Sequence, residues 1–501
     1  MGPSTSHVRL GVRLSICAVG AGVLLGACAG LPGVHALTQV RSSESFETTK
    51  SLRSDGGAWP ESDWISQIGG AQLARLSREA LAANPDFLAT RFRIAAAVAQ
   101  AEGAHAALLP TLQANGSVSR GYQDQNLNLP TPVGPTPETD GWSNQLTGLL
   151  GLNYELDLWG KNRAALAQAV SQSKAAIAEG EQARLSLLVA LAMSYTQLAL
   201  QYETRDAVGS VLEQRQRQMK LAQARLDAGL DSPSEANDAG ARVSLLRLQL
   251  QQIDERIELL RHQLGALLGK GPDRGMAIPR PRLAPLAPLA VPEQLPLHLL
   301  GRRPDVVAAR WRVEAAARGV DVAKARFYPD INLSALAGYA SFSLSNLGKS
   351  TLEGFTAGPA INLPIFEGGR LRANLNAQLA QYDASVAAYN GILNTALNDA
   401  ADQITSLRAV DQQLHTQSDA TDSSERGLEL TRKRHSAGLL SDQMLASAEL
   451  ELLNARQRSI ELQSRRRSLQ IGLIRALGGG FDVGNVGIAF NSTQHEKKPV
   501  K

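Results

Sequence analysis

The sequence predicts an α+β chain in which four short strands feed very long helices, and three observations predict it. Four runs of roughly a dozen residues alternate apolar and polar side chains, the mark of half-buried strands. The stretch from Gly160 to Ala228 contains no proline. The whole pattern of helix, strand, strand, very long helix and long helix is written twice. Composition agrees: 44% of residues are hydrophobic but only 4% aromatic, so the apolar content is largely Ala and Leu, which favours helices.

The repeat is read from matched residues. Ala228-Gly229-Leu230 recurs as Ala437-Gly438-Leu439, Leu268-Gly269 as Leu477-Gly478, and Gly160-Lys161 as Gly369-Arg370, all at an offset of 209. Upstream, Pro85-Asp86 matches Pro304-Asp305, Arg93 matches Arg312 and Pro110 matches Pro329, at an offset of 219. The extra residues of the first copy fall in a proline-rich loop between Tyr122 and Trp142. The reading divides the chain into a leader (1–27), an extended segment (28–64), a first repeat (65–272), a proline-rich linker (273–300), a second repeat (301–480) and a flexible tail (481–501).

Strands are expected at 111–122, 142–157, 330–343 and 352–366. In the first, Leu112, Ala114, Gly116 and Val118 share one face and Gln113, Asn115, Ser117 and Ser119 the other. Trp142, Leu146, Leu150, Leu152, Tyr154 and Leu156 then alternate with Ser143, Gln145, Thr147, Asn153, Glu155 and Asp157. In the second copy Ile331, Leu333, Ala335 and Ala337 oppose Asn332 and Ser334, and Phe355, Ala357, Ile361, Leu363 and Ile365 share a face. One apolar and one polar face fits a membrane barrel with a wet lumen; a soluble sheet packed on helices has the same period. Four strands cannot close a barrel, whose smallest outer-membrane form has about eight. Three chains would supply twelve.

Long helices are expected at 160–228, 233–268, 370–437 and 441–477. Ala239, Val243, Leu246, Leu250, Ile253, Ile257, Leu260, Leu264 and Leu267 form a coiled-coil seam. The equivalent seam of the second copy is interrupted by Ser459 and Arg466. No segment after the leader has about 18 continuous apolar residues, so a transmembrane helix is not expected.

Arg9 and Arg13 precede an apolar run from Leu14 to Leu25, which reads as an export signal. Leu25-Gly26-Ala27-Cys28 then reads as a lipobox, with Cys28 the site of diacylglycerol attachment and N-acylation. The second cysteine, Cys17, lies within the leader, so no internal disulfide is expected in the mature chain. Ala29 favours the outer membrane. Formal net charge is +4, or +2 without Arg9 and Arg13, too mild to indicate nucleic acid. The eight histidines are scattered without metal-ligand spacing, methionine is sparse and no phosphate-binding loop is present, so neither an enzyme, a metal site nor a cofactor is expected. Arg465-Arg466-Arg467 reads as a solvated helix face.

Several ordered motifs resemble a known family. Tyr154-Glu155-Leu156-Asp157-Leu158-Trp159-Gly160-Lys161 is similar to the strand-to-helix signature of TolC-like outer-membrane efflux proteins, and Leu363-Pro364-Ile365-Phe366-Glu367-Gly368-Gly369-Arg370 to its second-copy counterpart. Arg302-Arg303-Pro304-Asp305 and Phe327-Tyr328-Pro329-Asp330 match the family's style. With its lipobox, the chain resembles most the NodT-type lipoprotein branch serving resistance-nodulation-division pumps. The resemblance runs from about Ile65 to Phe481.

It implies a homotrimer whose twelve-strand barrel sits in the outer membrane, continued by a long helical barrel in the periplasm, with a collar including Leu73 to Ala82 and the C-terminal region. The implied function is the exit duct of a tripartite efflux system for small toxic compounds or drugs, partnered by a periplasmic adaptor and an inner-membrane pump. Gly160, Gly368 and Gly369 would be strand-to-helix hinges. Gly229 and Gly438 would end the descending helices, exposing Leu230 and Leu439 beside Arg225 and Arg434 as adaptor-docking tips. Asp231 and Asp442 are candidates for a periplasmic gate, or for helix caps, and the duct is expected to be closed at rest. The alternatives are an exit duct for type I protein secretion and a non-channel periplasmic coiled-coil lipoprotein.

Overall fold

The computed structural model describes residues 36–42, 45–48, 50–52, 56–123, 130–131, 134–135, 141–230, 232–285, 301–341 and 352–484. Residues 1–35, where the leader and Cys28 were expected, Asp231, residues 286–300 and the residues after 484 lie outside them.

Elements run in the order α1 (Trp64–Ala83), α2 (Pro85–Ala106), β1 (Thr111–Gln123), the short β2 (Pro130–Thr131) and β3 (Gly134–Pro135), β4 (Gly141–Leu156), α3 (Lys161–Asp227), α4 (Pro233–Leu267), α5 (Pro272–Met276), α6 (Pro304–Ala325), β5 (Asp330–Ser341), β6 (Leu352–Asn362), α7 (Arg370–Ser436) and α8 (Asp442–Ala476). Helix lengths repeat residue for residue. α2 and α6 have 22 residues, α3 and α7 have 67, and α4 and α8 have 35. At ~1.5 Å per residue the 67-residue helices are each about 100 Å long.

The chain forms two compact units. One comprises Met1–Val40, Ala96–Ser173 and Trp311–Ala388 and holds the sheet. Its four main strands pair antiparallel in the order β1-β4-β5-β6. The register aligns Leu112 with Leu152, Ala335 and Ala357, and Ala114 with Leu150, Ala337 and Phe355, so the apolar positions of all four strands share a face. The other face carries Gln113, Ser117, Thr147, Asn153, Asn332 and Thr356, although Leu149 and Leu336 also fall on it. β6 stops at Asn362 rather than at 366, so Leu363 and Ile365 are not strand residues. Pro364 has no N–H to offer a ladder. β4 likewise ends at Leu156, leaving Asp157 outside the strand.

The other unit comprises Arg41–Ala95, Lys174–Arg310 and Tyr389–Lys501. Its core joins Trp64, Ile68 and Leu73 of α1, Leu188, Leu191 and Tyr195 of α3, and the α4 seam from Val243 to Leu264. One stretch of α3 is long and apolar enough to cross a bilayer, but most of it is buried. The α3 residues of that core, Leu185 to Leu198, face α1 and α4, which assigns this stretch to helix packing.

The repeat is visible in atomic detail where each return helix ends. Asn84 and Arg303 occupy equivalent positions. Asn84 Nδ2 donates to Leu267 O at 3.1 Å, and Arg303 Nη1 to the equivalent carbonyl, Ala476 O, at 3.5 Å. Two residues beyond, Gly269 and Gly478 adopt φ of 66° and 90°. A Cβ on Gly269 would lie 2.2 Å from Ala83 O, and one on Gly478 1.8 Å from Arg302 O. These glycines allow the helix ends to seat against the backbone entering α2 and α6.

The proline-rich linker is ordered at its start: α5 is helical, Ile278 is buried, and Arg282 N donates to Tyr195 Oη at 3.1 Å. Two expectations need correction. The tail does not begin at 481, since Phe481 is buried and Val483 N bonds Gly301 O at 3.1 Å. Nor is the triple-arginine run wholly solvated. Arg466 pairs with Asp411 at 2.6 Å, and Arg467 donates to Ala284 O at 2.8 Å, its burial lowering its pKa.

Candidate functional site: sheet junction and hairpin tips

At the sheet-to-helix junction the chain turns within four residues. Gly160 takes φ of 75°, and the second-copy pair Gly368 and Gly369 take 58° and 86°. Asp157 accepts from the amides of Asn162 at 3.0 Å and Arg163 at 2.9 Å, filling donors that the first turn of α3 leaves open. Burial opposes its ionisation, but those amides and the Arg163 side chain outweigh burial and hold it below the ordinary aspartate value. Trp159 stacks on Tyr328 at 4.9 Å and donates from Nε1 to Pro329 O at 2.8 Å. Lys161 bridges Glu155 at 2.6 Å and Asp330 at 2.9 Å. Burial works against the lysine charge, yet the two carboxylates raise its pKa. The signature octapeptide is thus a joint: it caps a helix, stacks a ring and ties β4 to β5. At the far end of the apolar face Tyr122 meets Trp142 edge-on at 6.0 Å, and Arg120 lies 5.6 Å from the Trp142 ring.

The descending helices end alike. Gly229 N bonds Leu226 O at 2.9 Å and Leu230 N bonds Arg225 O at 2.8 Å; Gly438 N bonds His435 O and Leu439 N bonds Arg434 O, both at 2.9 Å. With φ of 71° and 72° at the glycines, these are paired Schellman caps. Such a cap usually shelters its following apolar residue against the side chain one turn back. Here that position is Arg225 or Arg434, and Leu230 and Leu439 remain 70% and 72% exposed.

The return helices begin differently. Ser232 is the N-cap of α4 without a side-chain bond, while Ser441 Oγ accepts from Met444 N at the start of α8. Asp442 is not that cap. Its carboxylate meets His435 Nε2 at 2.6 Å, joining the two arms of the second hairpin.

Sequence reasoning missed a buried polar cluster. Glu449 of α8 meets Arg215 of α3 at 3.4 Å and Arg432 of α7 at 3.6 Å, and takes further hydrogen bonds from Gln214 and Gln218. Arg215 also donates to Ala446 O at 2.6 Å. The residues at the repeat-equivalent positions are Ser424 and Gly240. The only sequence signal was therefore a pair of charges breaking the repeat.

A sheet largely apolar on one side and largely polar on the other, with outer strands unpaired among the described residues and 67-residue helices following it, is the arrangement expected of an outer-membrane channel protein. Residues 76–270 and 295–479 each match the family model described as outer membrane efflux protein, and the chain belongs to that family. It is similar to the fusaric acid resistance protein FusA of Burkholderia cepacia, 38% identical over 369 residues covering 73% of this chain and 69% of the relative. It is 29% identical to the multidrug resistance outer membrane protein MdtP of Escherichia coli K12, over 95% and 98% of the two chains. The crystal structure of the outer membrane protein VceC of Vibrio cholerae superimposes with a TM-score of 0.76 at 36% identity, covering 85% of this chain and all of that one. The chain is an outer-membrane efflux channel.

Proposed function

We propose that three copies of this chain close a twelve-strand barrel continued by their long helices, and that this trimer is the passive exit duct of a tripartite pump for small toxic compounds. The observation that carries the proposal is the sheet with two open edges. Among the described residues β1 and β6 each lack a second neighbour, and the strand directions alternate across β1-β4-β5-β6. β6 of one copy can therefore pair antiparallel with β1 of the next, and the alternation survives around a ring of any number of copies. From Leu112 to Tyr122 is ten residues, about 33 Å of strand. A tilt of about 40° reduces that to about 25 Å of apolar height, the bilayer band of such barrels. The Tyr122–Trp142 pair would then mark one interface and the Trp159–Tyr328 stack the other.

On this reading the polar strand face lines the lumen and the channel does no chemistry of its own. Cys28 carries the lipid. Leu230 and Leu439, exposed beside glycine caps, dock a periplasmic adaptor that links the duct to an inner-membrane pump, and the tips close at rest. Asp442 gates less simply than an unpaired acid would, because His435 already holds it. The names of the relatives, fusaric acid resistance and multidrug resistance, support small-molecule cargo.

The test is native mass spectrometry with negative-stain microscopy of the detergent-extracted, full-length protein. The proposal expects a trimer with a tube of about 100 Å, as the helix lengths require. A monomer or dimer without a tube removes the closed barrel.

A further inference from the structure

Residues 36–42 have no secondary structure of their own, yet side chains of α7 hold them. Asp383 accepts from Leu37 N at 3.0 and 3.2 Å through its two carboxylate oxygens, and from Thr38 N at 3.0 Å. Two turns further along the same helix, Asn390 Oδ1 accepts from Arg41 N at 3.0 Å. The spacings are commensurate. Asp383 to Asn390 is seven residues of helix, about 10.5 Å. Thr38 to Arg41 is three residues of extended chain, about 10 Å. The segment and the helix therefore run in the same direction, and the upstream end of the segment points toward Arg370, where α7 leaves the sheet.

We propose that Asp383 is a positioning residue that fastens this N-terminal strap to α7 and so fixes the tether between helix and lipid anchor. The inference rests on the reading that Cys28 is lipidated. Arg370 lies thirteen residues before Asp383, about 20 Å along the helix. Cys28 lies nine residues before Leu37 and can reach at most about 30 Å. A strap clamped at Asp383 thus has enough chain to place Cys28 level with Arg370, with about 10 Å over. A clamp two turns lower would use up that reserve. A carboxylate suits the task because it accepts several donors at once, here the amides of Leu37 and Thr38 and the Thr38 side chain. Its pKa lies below the ordinary aspartate value, the Thr38 amide being the main cause, which keeps it ionised at neutral pH.

The experiment is hydrogen–deuterium exchange on the full-length, detergent-extracted protein, following peptides that span residues 36–42, together with the intact mass of the N-terminal peptide. Asp383→Ala is expected to speed exchange at Leu37 and Thr38 at least about fivefold, with exchange in the sheet unchanged. Asp383→Asn, which keeps one acceptor oxygen, should fall between. Equal exchange in wild type and Asp383→Ala, or no protection of these amides in wild type, overturns the clamp whatever Cys28 carries. An unlipidated Cys28 alongside an Asp383-dependent strap overturns the anchoring role and leaves the contact as a fold-stabilising tie.

Discussion

Arg215 and Glu449 set opposite charges 3.4 Å apart where almost no solvent reaches, their side chains 8% and 3% exposed, and so tie the descending helix of the first repeat to the return helix of the second. Burial lowers the Arg215 pKa although Glu449 acts to raise it, so this charge depends on its partner. Removing the partner of a buried charge costs about 3 kcal/mol or more, whereas replacing both with apolar groups of similar volume is often neutral. Glu449→Ala should therefore lower the thermal unfolding midpoint clearly. The double variant Arg215→Met/Glu449→Leu should recover most of the loss, as differential scanning calorimetry in detergent can read. A double variant no better than the single would mean that Gln214, Gln218 and Arg432, not Arg215, hold Glu449 in place.

Gly478 and Gly438 both have positive φ but differ in their surroundings. At Gly438 a Cβ would meet nothing within 4 Å, so alanine there bears only the left-handed strain, about 1 kcal/mol. At Gly478 the same Cβ would press on Arg302 O, a backbone atom that cannot swing away. Gly478→Ala, and Gly269→Ala by repeat equivalence, should destabilise at least twice as much as Gly438→Ala. Unfolding midpoints of the three variants, measured side by side, give the comparison. Equal losses would mean that the helix ends can withdraw from α2 and α6 at no cost.

Much of this was legible in the sequence. The doubled Gly-Leu tips, the strand faces and the heptad seam are periodic, and period survives in one dimension. The Pro-Asp pairs, matched in the sequence only as repeat markers, prove to open α2 and α6, with Asp305 accepting from Val306 N at 2.8 Å. What was hidden has no period. Glu449 and Arg215 are 234 positions apart, and only the packing of α3 on α8 brings them together. Asp383 carries no motif, and most of its bonds come from backbone amides, which leave no trace in residue identity. Asp442 could be read as cap or gate, since His435 seven positions earlier is a neighbour only once the hairpin has closed.

Acid should release the N-terminal strap before it unfolds the helices. Asp383 has a pKa depressed in the folded chain, so its contribution is full above the ordinary aspartate value, about 3.9. That contribution is lost as pH falls through the lower folded value. Nicking beside Leu37 by an acid protease such as pepsin should stay slow from about pH 5 down to about 4 and rise below it, with circular dichroism following helix content. In Asp383→Asn the nicking rate should no longer show this pH step. A step that persists in the variant would assign it to another carboxylate.

The hairpin tips should separate docking from folding. Leu230 and Leu439 rest on glycine caps and are largely exposed, so exchanging either for Asp removes little buried area and should change stability by less than about 0.5 kcal/mol. If these residues pack against an adaptor, a charge there must be desolvated on binding, which costs several kcal/mol unless it is paired. Leu230→Asp and Leu439→Asp should then leave the protein folded and in the outer membrane while abolishing drug resistance in cells that rely on this channel. Exchanging the neighbouring exposed Leu221 for Asp serves as the control for apolar surface in general. Full resistance in both tip variants would move the docking surface away from the tips, and loss of resistance in the control alone would move it up the first hairpin.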